Sequence, residues 1–431
     1  MATLDESAAV RRLHDRLGFG PRPGDLAAGF AATATALLNP APDTAPAPDL
    51  GAPVPRPGRV VAAGDTAARK QAAQAIAQQE LTLVGWWLDR MVTTGAPLTE
   101  RLTWFWHGHF ATSEQKVRSP QLMLRQNETF RQQGIGDFTT LARSLIVDPA
   151  MLVWLDGQQN TVRAPNENLA REAMELFLLG IGHYTENDVR AAARALTGWA
   201  VDRTTATARL IPRRHDRGTK TILGASQNFD ADSFVDLALS QPASPRFVAG
   251  RLWFRLVSAT PPPSDVLDRL VAGYGPGRNI HGLLAALVAE PSFRDSAQTL
   301  VKQPVEWLVG LLRALGLRPN QLPPKALLAG LRAFGQLPFE PPNVGGWPAD
   351  TAWLTTSAAL TRLHLAQAVA AKADVTSITN TSTPQRAEAV RRLLGVDAWT
   401  ARTSAALAKV TDNPRDLLAI AACAPEYVVS V

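Results

Sequence analysis

The sequence predicts a mainly α-helical protein: a large multi-helix single domain with a small β-hairpin excursion near residues 200–224. The chain has 431 residues, of which 46% are hydrophobic and 19% charged, so it is able to bury a sizeable core. Apolar residues recur at helical spacing along most of its length. Strand and helix patterns do not alternate, which argues against a parallel sheet.

The first 64 residues predict a small helical segment followed by a linker. Residues 5–17 and 24–38 have helical spacing of their apolar residues. The next stretch, NPAPDTAPAPDLGAPVPRPGR, has the Pro and Ala content of an extended loop. We therefore predict an N-terminal helical segment at 1–38, a Pro/Ala-rich linker or loop at 39–64, and a helical core domain at 65–431.

Successive helices are predicted along the core domain. Pro97 opens one helix, and Thr185 with Asp188 three residues later forms a capping-box pattern at the start of another. Residues 200–224 instead alternate Thr and β-branched residues around turn formers, which predicts the hairpin. The predicted helices are 67–92, 97–110, 118–133, 136–147, 165–180, 185–197, 243–257, 262–273, 279–289, 303–315, 323–335, 356–372, 383–394 and 402–423.

Composition excludes several classes of function. The single cysteine, Cys423, excludes an internal disulfide and a cysteine metal site, and we expect it to be a small core residue. The net charge is +6, but the arginines are spread along the chain, so no nucleic-acid partner is predicted. No apolar run approaches the roughly 20 residues of a membrane span. Without an apolar leader we expect a cytoplasmic protein, and export together with a partner stays open.

The segment PNENLAREAMELFLLGIGHYTENDV places unusual charge on a largely apolar helix. At about 100° per residue, Arg171, Glu172 and Glu175 share one polar face. Leu178 and Leu179 fall within the same face, so we expect it to be partly covered. Covered carboxylates need a partner, a proton or a metal ion, because an unpaired buried charge costs several kcal/mol.

Histidines supply the other candidate groups. His109 lies on the apolar stripe of its helix, where it is either a buried residue hydrogen-bonded to a carboxylate or a ligand or catalytic group. His107 points away from His109, so the two do not form a helical metal pair. His215 and Asp216, in RRHDRGTKTILG, either bind a metal or orient a base, or form a turn.

Two loops add less specific candidates. His183 and Glu186 flank a turn between two predicted helices, where they are either site residues or ordinary caps. Trp347, in the Gly- and Pro-rich stretch PPNVGGWP, is a candidate for lining a sugar or peptide surface. The chain has no Gly-x-Ser-x-Gly elbow, no phosphate loop and no dinucleotide fingerprint after a strand.

Several of these stretches resemble a large bacterial family catalogued as domain of unknown function 1800. The resemblance runs nearly end to end, and the block PNENLAREAMELFLLGIGHYTENDV is its most specific part. It implies a mostly helical fold and a bacterial origin, and it brings no agreed reaction. Family members often lie beside a sulfatase-like protein, which implies a sulfatase-like partner. The matching motif positions are Asn166, Glu167, Asn168, Arg171, Glu172, Glu175, Tyr184, Glu186, Asp188, Arg194, His109, His215, Asp216 and Lys220.

Two functions stay open at this point, and whether the chain is an enzyme is undecided. The first is an enzyme performing hydrolysis or oxidation at a carboxylate and histidine site between helices. The second is a non-catalytic binding protein or partner of the sulfatase-like neighbour, in which the Glu, Arg and His cluster is a structural brace. The cofactor is unknown, with Fe, Mn and Zn as candidates. The candidate catalytic residues are His109, Glu172, Glu175, Arg171, His215 and Asp216, and the candidate metal ligands are His109, Glu172 and Glu175.

Overall fold

The computed structural model describes residues 3–54 and 66–431, and this part of the chain is mainly helical, as predicted. Its strands form three two-stranded antiparallel sheets. The α-helices are α1 Glu6–Arg16, α2 Phe30–Leu38, α3 Thr66–Thr93, α4 Pro97–His109, α5 Glu114–Val117, α6 Pro120–Gln133, α7 Phe138–Ile146, α8 Pro149–Trp154, α9 Asn168–Glu172, α10 Glu186–Ala195, α11 Ala231–Ser240, α12 Ala243–Leu256, α13 Ser264–Tyr274, α14 Ile280–Ala289, α15 Pro304–Ala314, α16 Pro324–Ala333, α17 Thr356–Ala370, α18 Thr376–Thr379, α19 Arg386–Leu393, α20 Ala401–Leu407, α21 Pro414–Ala422 and α22 Pro425–Val428. The strands are β1 Trp199–Asp202, β2 Thr207–Leu210, β3 Lys220–Ile222, β4 Ala225–Gln227, β5 Leu300–Val301 and β6 Val429–Ser430.

Local sequence patterns predicted most of the helices correctly. The Thr185 and Asp188 capping box forms as predicted at the start of α10. The single hairpin predicted near 200–224 is instead two hairpins, β1–β2 and β3–β4, which together span residues 199–227. The helix predicted at 402–423 is divided into α20 and α21, because Asn413 caps the amides of residues 415 and 416 and Pro414 begins a new helix. None of the described helices is both long and apolar enough to cross a membrane.

The proline-rich stretch before α3 lies against the helices. Residues 39–54 form neither helix nor strand. Trp86 donates its indole N–H to the Pro46 carbonyl at 3.1 Å, and Arg90 donates to the Ala45 carbonyl at 2.8 Å. The rest of the predicted linker, from residue 55, lies outside the described residues. The division into three segments therefore stays a prediction.

Helix α1 is hydrogen-bonded to Ser430 and Val431. Arg16 donates to the Ser430 hydroxyl at 3.0 Å and to the Ser430 carbonyl at 2.8 Å, and Arg12 donates to the Val431 carbonyl at 2.7 Å. Strand β6 then pairs with β5. Burial lowers the pKa of Arg16 to about 9, so the carbonyl oxygens around it replace the hydration that this guanidinium loses.

A fully buried carboxylate of α4, Glu100, joins this helix to α3 and α6. Glu100 accepts hydrogen bonds from the Trp87 indole at 3.0 Å, from Arg90 at 2.9 Å and from Arg131 at 2.5 Å. The Glu100 residue is 0% exposed, and both arginine side chains are only 5% exposed. Glu100 therefore depends on these two arginines for its counter-charge, whereas Arg90 also pairs with Asp43 and Arg131 with Glu128.

We expect Glu100→Ala to lower the free energy of unfolding by about 3–5 kcal/mol, because it removes the fully buried carboxylate shared by two buried arginines and the Trp87 indole. Glu128→Ala is the matched control, since Glu128 pairs with the same Arg131 but its side chain is 25% exposed. The control should cost at most about 1 kcal/mol. Urea denaturation of both variants measures the difference, and equal losses would contradict the dependence on burial.

Candidate functional site

The charged segment folds as an α-helix that widens into a π-turn. Helix α9 ends at Glu172, and residues Ala173–Leu178 continue as π-helix. The amides of Leu179 and Gly180 both donate to the Met174 carbonyl at 3.1 Å. We call residues 168–178 the signature helix. A single π-turn within a helix is rare and occurs frequently at functional sites.

His109 binds the end of the signature helix. Its Nε2 lies 3.0 Å from the Phe177 carbonyl oxygen, which is among the last carbonyls of the helix. A carbonyl only accepts, so Nε2 carries the proton. Burial, followed by the positive charges of Arg251 and Arg255, lowers the pKa of His109 to about 3 against the opposing effect of the Phe177 carbonyl, so the ring is neutral. The partner is a backbone carbonyl, so the carboxylate partner, one of the two alternatives left open from the sequence, is wrong.

A glycine lets helix α12 pack against this end of the signature helix. Gly180 has φ 89°, in the left-handed region that favours glycine. A Cβ at Gly180 would lie 2.9 Å from the ring of Phe247. On its other side, the Phe247 ring centroid lies 6.0 Å from that of His109. His109, Gly180 and Phe247 therefore fix the position of α12 relative to the signature helix.

A cavity of about 540 Å³ opens between the signature helix and α12. We call it the signature cavity. Its polar lining consists of Glu175, His183, Arg246 and Arg251. The apolar lining includes Leu176, Leu179 and Phe247.

The acidic wall of the signature cavity belongs to the signature helix. Glu175 accepts a hydrogen bond from the Tyr184 hydroxyl at 2.6 Å. Burial and then the charge of Glu175 raise the pKa of Glu172, against the opposing effect of Arg171. Glu172 and Glu175 are half-buried, in agreement with the partly covered face that the two leucines predicted.

The basic wall belongs to α12. Arg251 is half-buried, its Nε atom is inaccessible to solvent, and no described residue forms a hydrogen bond or ion pair with its guanidinium. One turn later, Arg255 donates to the Trp347 carbonyl at 2.8 Å. Burial lowers the pKa of Arg251, and burial with the charge of Arg251 lowers that of Arg255 to about 10. By contrast, Arg246 is paired with Asp268.

Other charged residues of the predicted site form a brace between helices. Arg171 donates to Glu186 at 2.7 Å and to Glu167 at 3.1 Å, which ties the signature helix to α10. Arg190 of α10 lies 3.8 Å from the Glu167 carboxylate. Arg171, a predicted catalytic residue, therefore already has two carboxylate partners outside the cavity lining.

The pair His215 and Asp216 lies at the hairpins and not in the signature cavity. Asp216 forms an ion pair with Arg194 at 2.7 Å, and Nδ1 of His215 lies 2.9 Å from the Thr197 carbonyl. Lys220 donates to the Phe229 carbonyl at 2.8 Å. These contacts hold the hairpins against α10 and α11, and the catalytic roles predicted for the pair stay predictions.

The predicted metal ligands are not gathered around one point. Nowhere in residues 3–54 and 66–431 do three or more His, Cys, Asp or Glu side chains form a group that could hold a metal ion. The Nε2 atom of His109 is engaged with Phe177. A metal held by His109, Glu172 and Glu175, with Fe, Mn or Zn as candidates, stays a prediction that this arrangement does not support.

The structure differs from the sequence analysis at two residues. Trp347 was a candidate for lining a sugar or peptide surface, but it is 4% exposed and its ring stacks on Trp104 at a centroid distance of 4.9 Å, so it belongs to the core. Arg251 was missed. The available signal was the pair of arginines one turn apart in ASPRFVAGRLWFRL, on a helix otherwise rich in core residues.

The family comparison covers almost the entire chain, including the signature helix and both walls of the cavity. The model of the family described as "Protein of unknown function (DUF1800)" matches residues 12–429. The chain belongs to this family. Neither the curated proteins nor the solved structures contain a match to this DUF1800 chain.

For this DUF1800 protein we expect Gly180→Ala to cost more stability than Gly182→Ala. Both glycines have positive φ, but only at Gly180 does an added Cβ meet Phe247, whereas nothing lies within 4 Å of one at Gly182. The backbone penalty of about 1 kcal/mol is common to both, and overlap adds about 1–3 kcal/mol at Gly180. Chemical denaturation measures the difference, and Gly180→Ala combined with Phe247→Leu should recover part of it.

We expect His109→Gln to change how stability depends on pH. The folded pKa of about 3 lies below the unfolded value of about 6.5, so the unfolded state takes up a proton first as the pH falls. The contribution of His109 is therefore present above pH 6.5 and lost toward pH 3, at about 1.4 kcal/mol per pH unit. Relative to the variant, the wild type should lose about 2 kcal/mol between pH 6.5 and 5. Parallel unfolding curves would contradict a neutral buried ring.

Proposed function

We propose that this protein binds an organic anion in the signature cavity, with Arg251 as its counter-charge. The observation that carries the proposal is the half-buried Arg251 guanidinium, which none of the described residues pairs with a carboxylate. Withdrawing a charge from water is costly unless a partner replaces the water. Arg255, one turn away, adds repulsion. A bound anion would replace the water that Arg251 has lost and would offset the repulsion between Arg251 and Arg255.

The chemistry of the walls defines the class of ligand. A guanidinium forms paired hydrogen bonds with planar or tetrahedral oxyanions, so the charged group would be a carboxylate, phosphate or sulfate. Leu176, Leu179 and Phe247 supply apolar surface for the rest of the molecule. A volume of about 540 Å³ is typical of sites for small molecules.

The same cavity contains groups suited to hydrolysis of such an anion. Glu175, oriented by the Tyr184 hydroxyl, would act as general base on a water molecule. His183 lines the same cavity and would donate the proton to the leaving group. Arg251 would stabilise the negative charge that develops on the substrate. Hydrolysis is favoured over oxidation because this lining offers acid–base groups and an anchor for an anion.

The second candidate is a non-catalytic partner of a sulfatase-like neighbour, with the charged cluster as a structural brace. The ion pairs of Arg171 with Glu167 and Glu186 favour it, because they join two helices without facing the cavity. The brace does not involve Arg251. The two candidates therefore predict different effects for substitutions at Arg171 and Arg251.

Calorimetric titration with phenyl phosphate, phenyl sulfate and benzoate at low salt tests the proposal. We expect saturable binding of at least one anion, at least tenfold weaker in Arg251→Met because a charge-assisted hydrogen bond is lost. Arg246→Met is the matched control and should change affinity by no more than about threefold, since Arg246 is already paired with Asp268. Arg171→Met should leave binding intact.

The outcomes separate binding, catalysis and the brace. Equal losses in Arg246→Met and Arg251→Met would contradict the role of the unpaired guanidinium. Binding of none of the three anions would overturn the proposal and favour the partner function. If an anionic phenyl ester is hydrolysed, Glu175→Gln should abolish turnover while the ester still binds.

A further inference from the structure

A second cavity, of about 480 Å³, lies between helices α3 and α16 and the loop after α16. We call it the Glu114 cavity. Its walls include the apolar side chains of Leu83, Val84, Leu328, Leu337 and Phe339. Three carboxylates also line it, those of Glu80, Glu114 and Glu340. It shares no lining residue with the signature cavity.

Glu114 is the unusual member of this lining. The residue is 3% exposed, and neither carboxyl oxygen has a well-formed hydrogen bond with any described residue. Its backbone is fixed, because the Glu114 amide donates to the Phe339 carbonyl at 2.8 Å. Phe339 itself has φ 68°, a conformation that is strained for a bulky residue. The fold therefore places a buried carboxyl group without a well-formed hydrogen bond at the wall of the Glu114 cavity.

The surroundings of Glu114 are mostly acidic or apolar. Burial, together with the charge of Glu80 and against the opposing effect of the Ser119 backbone, raises the pKa of Glu114 to about 8. At neutral pH the carboxyl group therefore retains its proton in the empty cavity. The other charged groups that face this acid or line the cavity are Glu80, Glu340, Arg203, Arg332 and Lys325.

The basic groups nearby are largely engaged elsewhere. Arg332 donates to Glu340 at 2.6 Å, and Arg203 donates to the Val117 carbonyl at 2.8 Å. Glu80 forms no hydrogen bond or ion pair with a described residue, and burial followed by the charge of Glu340 raises its pKa. Two acids, Glu80 and Glu114, thus border the same space, and neither forms an ion pair with a described residue.

We propose that the Glu114 cavity binds a small organic cation, an ammonium or guanidinium group on an apolar body, with Glu114 and Glu80 as its carboxylate partners. The cation replaces the proton of Glu114: the neutral acid releases H⁺ to solvent, and its carboxylate pairs with the incoming positive group. The leucines, Val84 and Phe339 cover the apolar body. This site is independent of the anion proposed for the signature cavity.

The test is calorimetric titration of the full chain with benzylammonium, using neutral benzyl alcohol as the comparison ligand. We expect benzylammonium to bind about twenty-fold more tightly at pH 8.5 than at pH 6.5, because below pH 8 a proton must leave Glu114 first. Titrations at pH 7 in two buffers with different ionisation enthalpies should show release of nearly one proton per ligand. Benzyl alcohol should bind at least tenfold more weakly at pH 8.5.

Two variants separate the role of Glu114 from that of the cavity as a whole. Glu114→Gln keeps a neutral side chain of the same shape, so it should fold, bind benzylammonium at least tenfold more weakly and release no proton. Glu80→Gln is the control: it removes the second carboxylate but keeps Glu114, so benzylammonium should bind more weakly while proton release persists. Absence of benzylammonium binding, equal binding of benzyl alcohol, or unchanged proton release in Glu114→Gln would each overturn the proposal.

Discussion

The hydrogen bond from His109 to the Phe177 carbonyl is the constraint on which the signature cavity depends. It engages a carbonyl at the end of the π-turn and fixes the tautomer of a neutral, buried ring. The same ring lies between Phe105, at a centroid distance of 5.8 Å, and Phe247, at 6.0 Å. The position of the π-turn determines where Glu175 enters the cavity, and the position of Phe247 determines where α12 presents Arg251.

The structural brace and the candidate sites differ in whether their buried charged groups have hydrogen-bond partners. Glu100 is completely buried, yet it has three donors, so its charge is a structural link between helices. Arg251 and Glu114 are also withdrawn from water, and each lines a cavity without such partners. Leaving these two groups without such partners gives the fold no stability. Perturbed groups that line cavities are therefore the best candidates for binding and catalysis.

Local signals in the sequence predicted the helices, whereas the site depends on contacts between distant segments. The capping box at Thr185 and the burial of His109 follow from spacing within one helix, and both were predicted. The hydrogen-bond partner of His109 was not predicted, because Phe177 is 68 residues away and the sequence does not show which backbone carbonyl a side chain will contact. Arg251 and Glu114 look like ordinary surface residues until the fold buries them. The charge of the signature segment was recognised, but its division into a brace at Arg171 and a cavity wall at Glu175 depends on where α10 and α12 pack.

One short segment links the two cavities. His109 holds the π-turn at the signature cavity, while Nε2 of His107 accepts a hydrogen bond from the Phe339 amide at 3.1 Å. The Phe339 carbonyl in turn accepts from the amide of Glu114. Phe339 is thus held at both backbone groups in its strained conformation by residues 107 and 114. His107 and His109 belong to the same helix, α4, so this one helix contacts a segment at each cavity. The stretch HGHFATSE therefore lies between the two cavities and contacts segments at both.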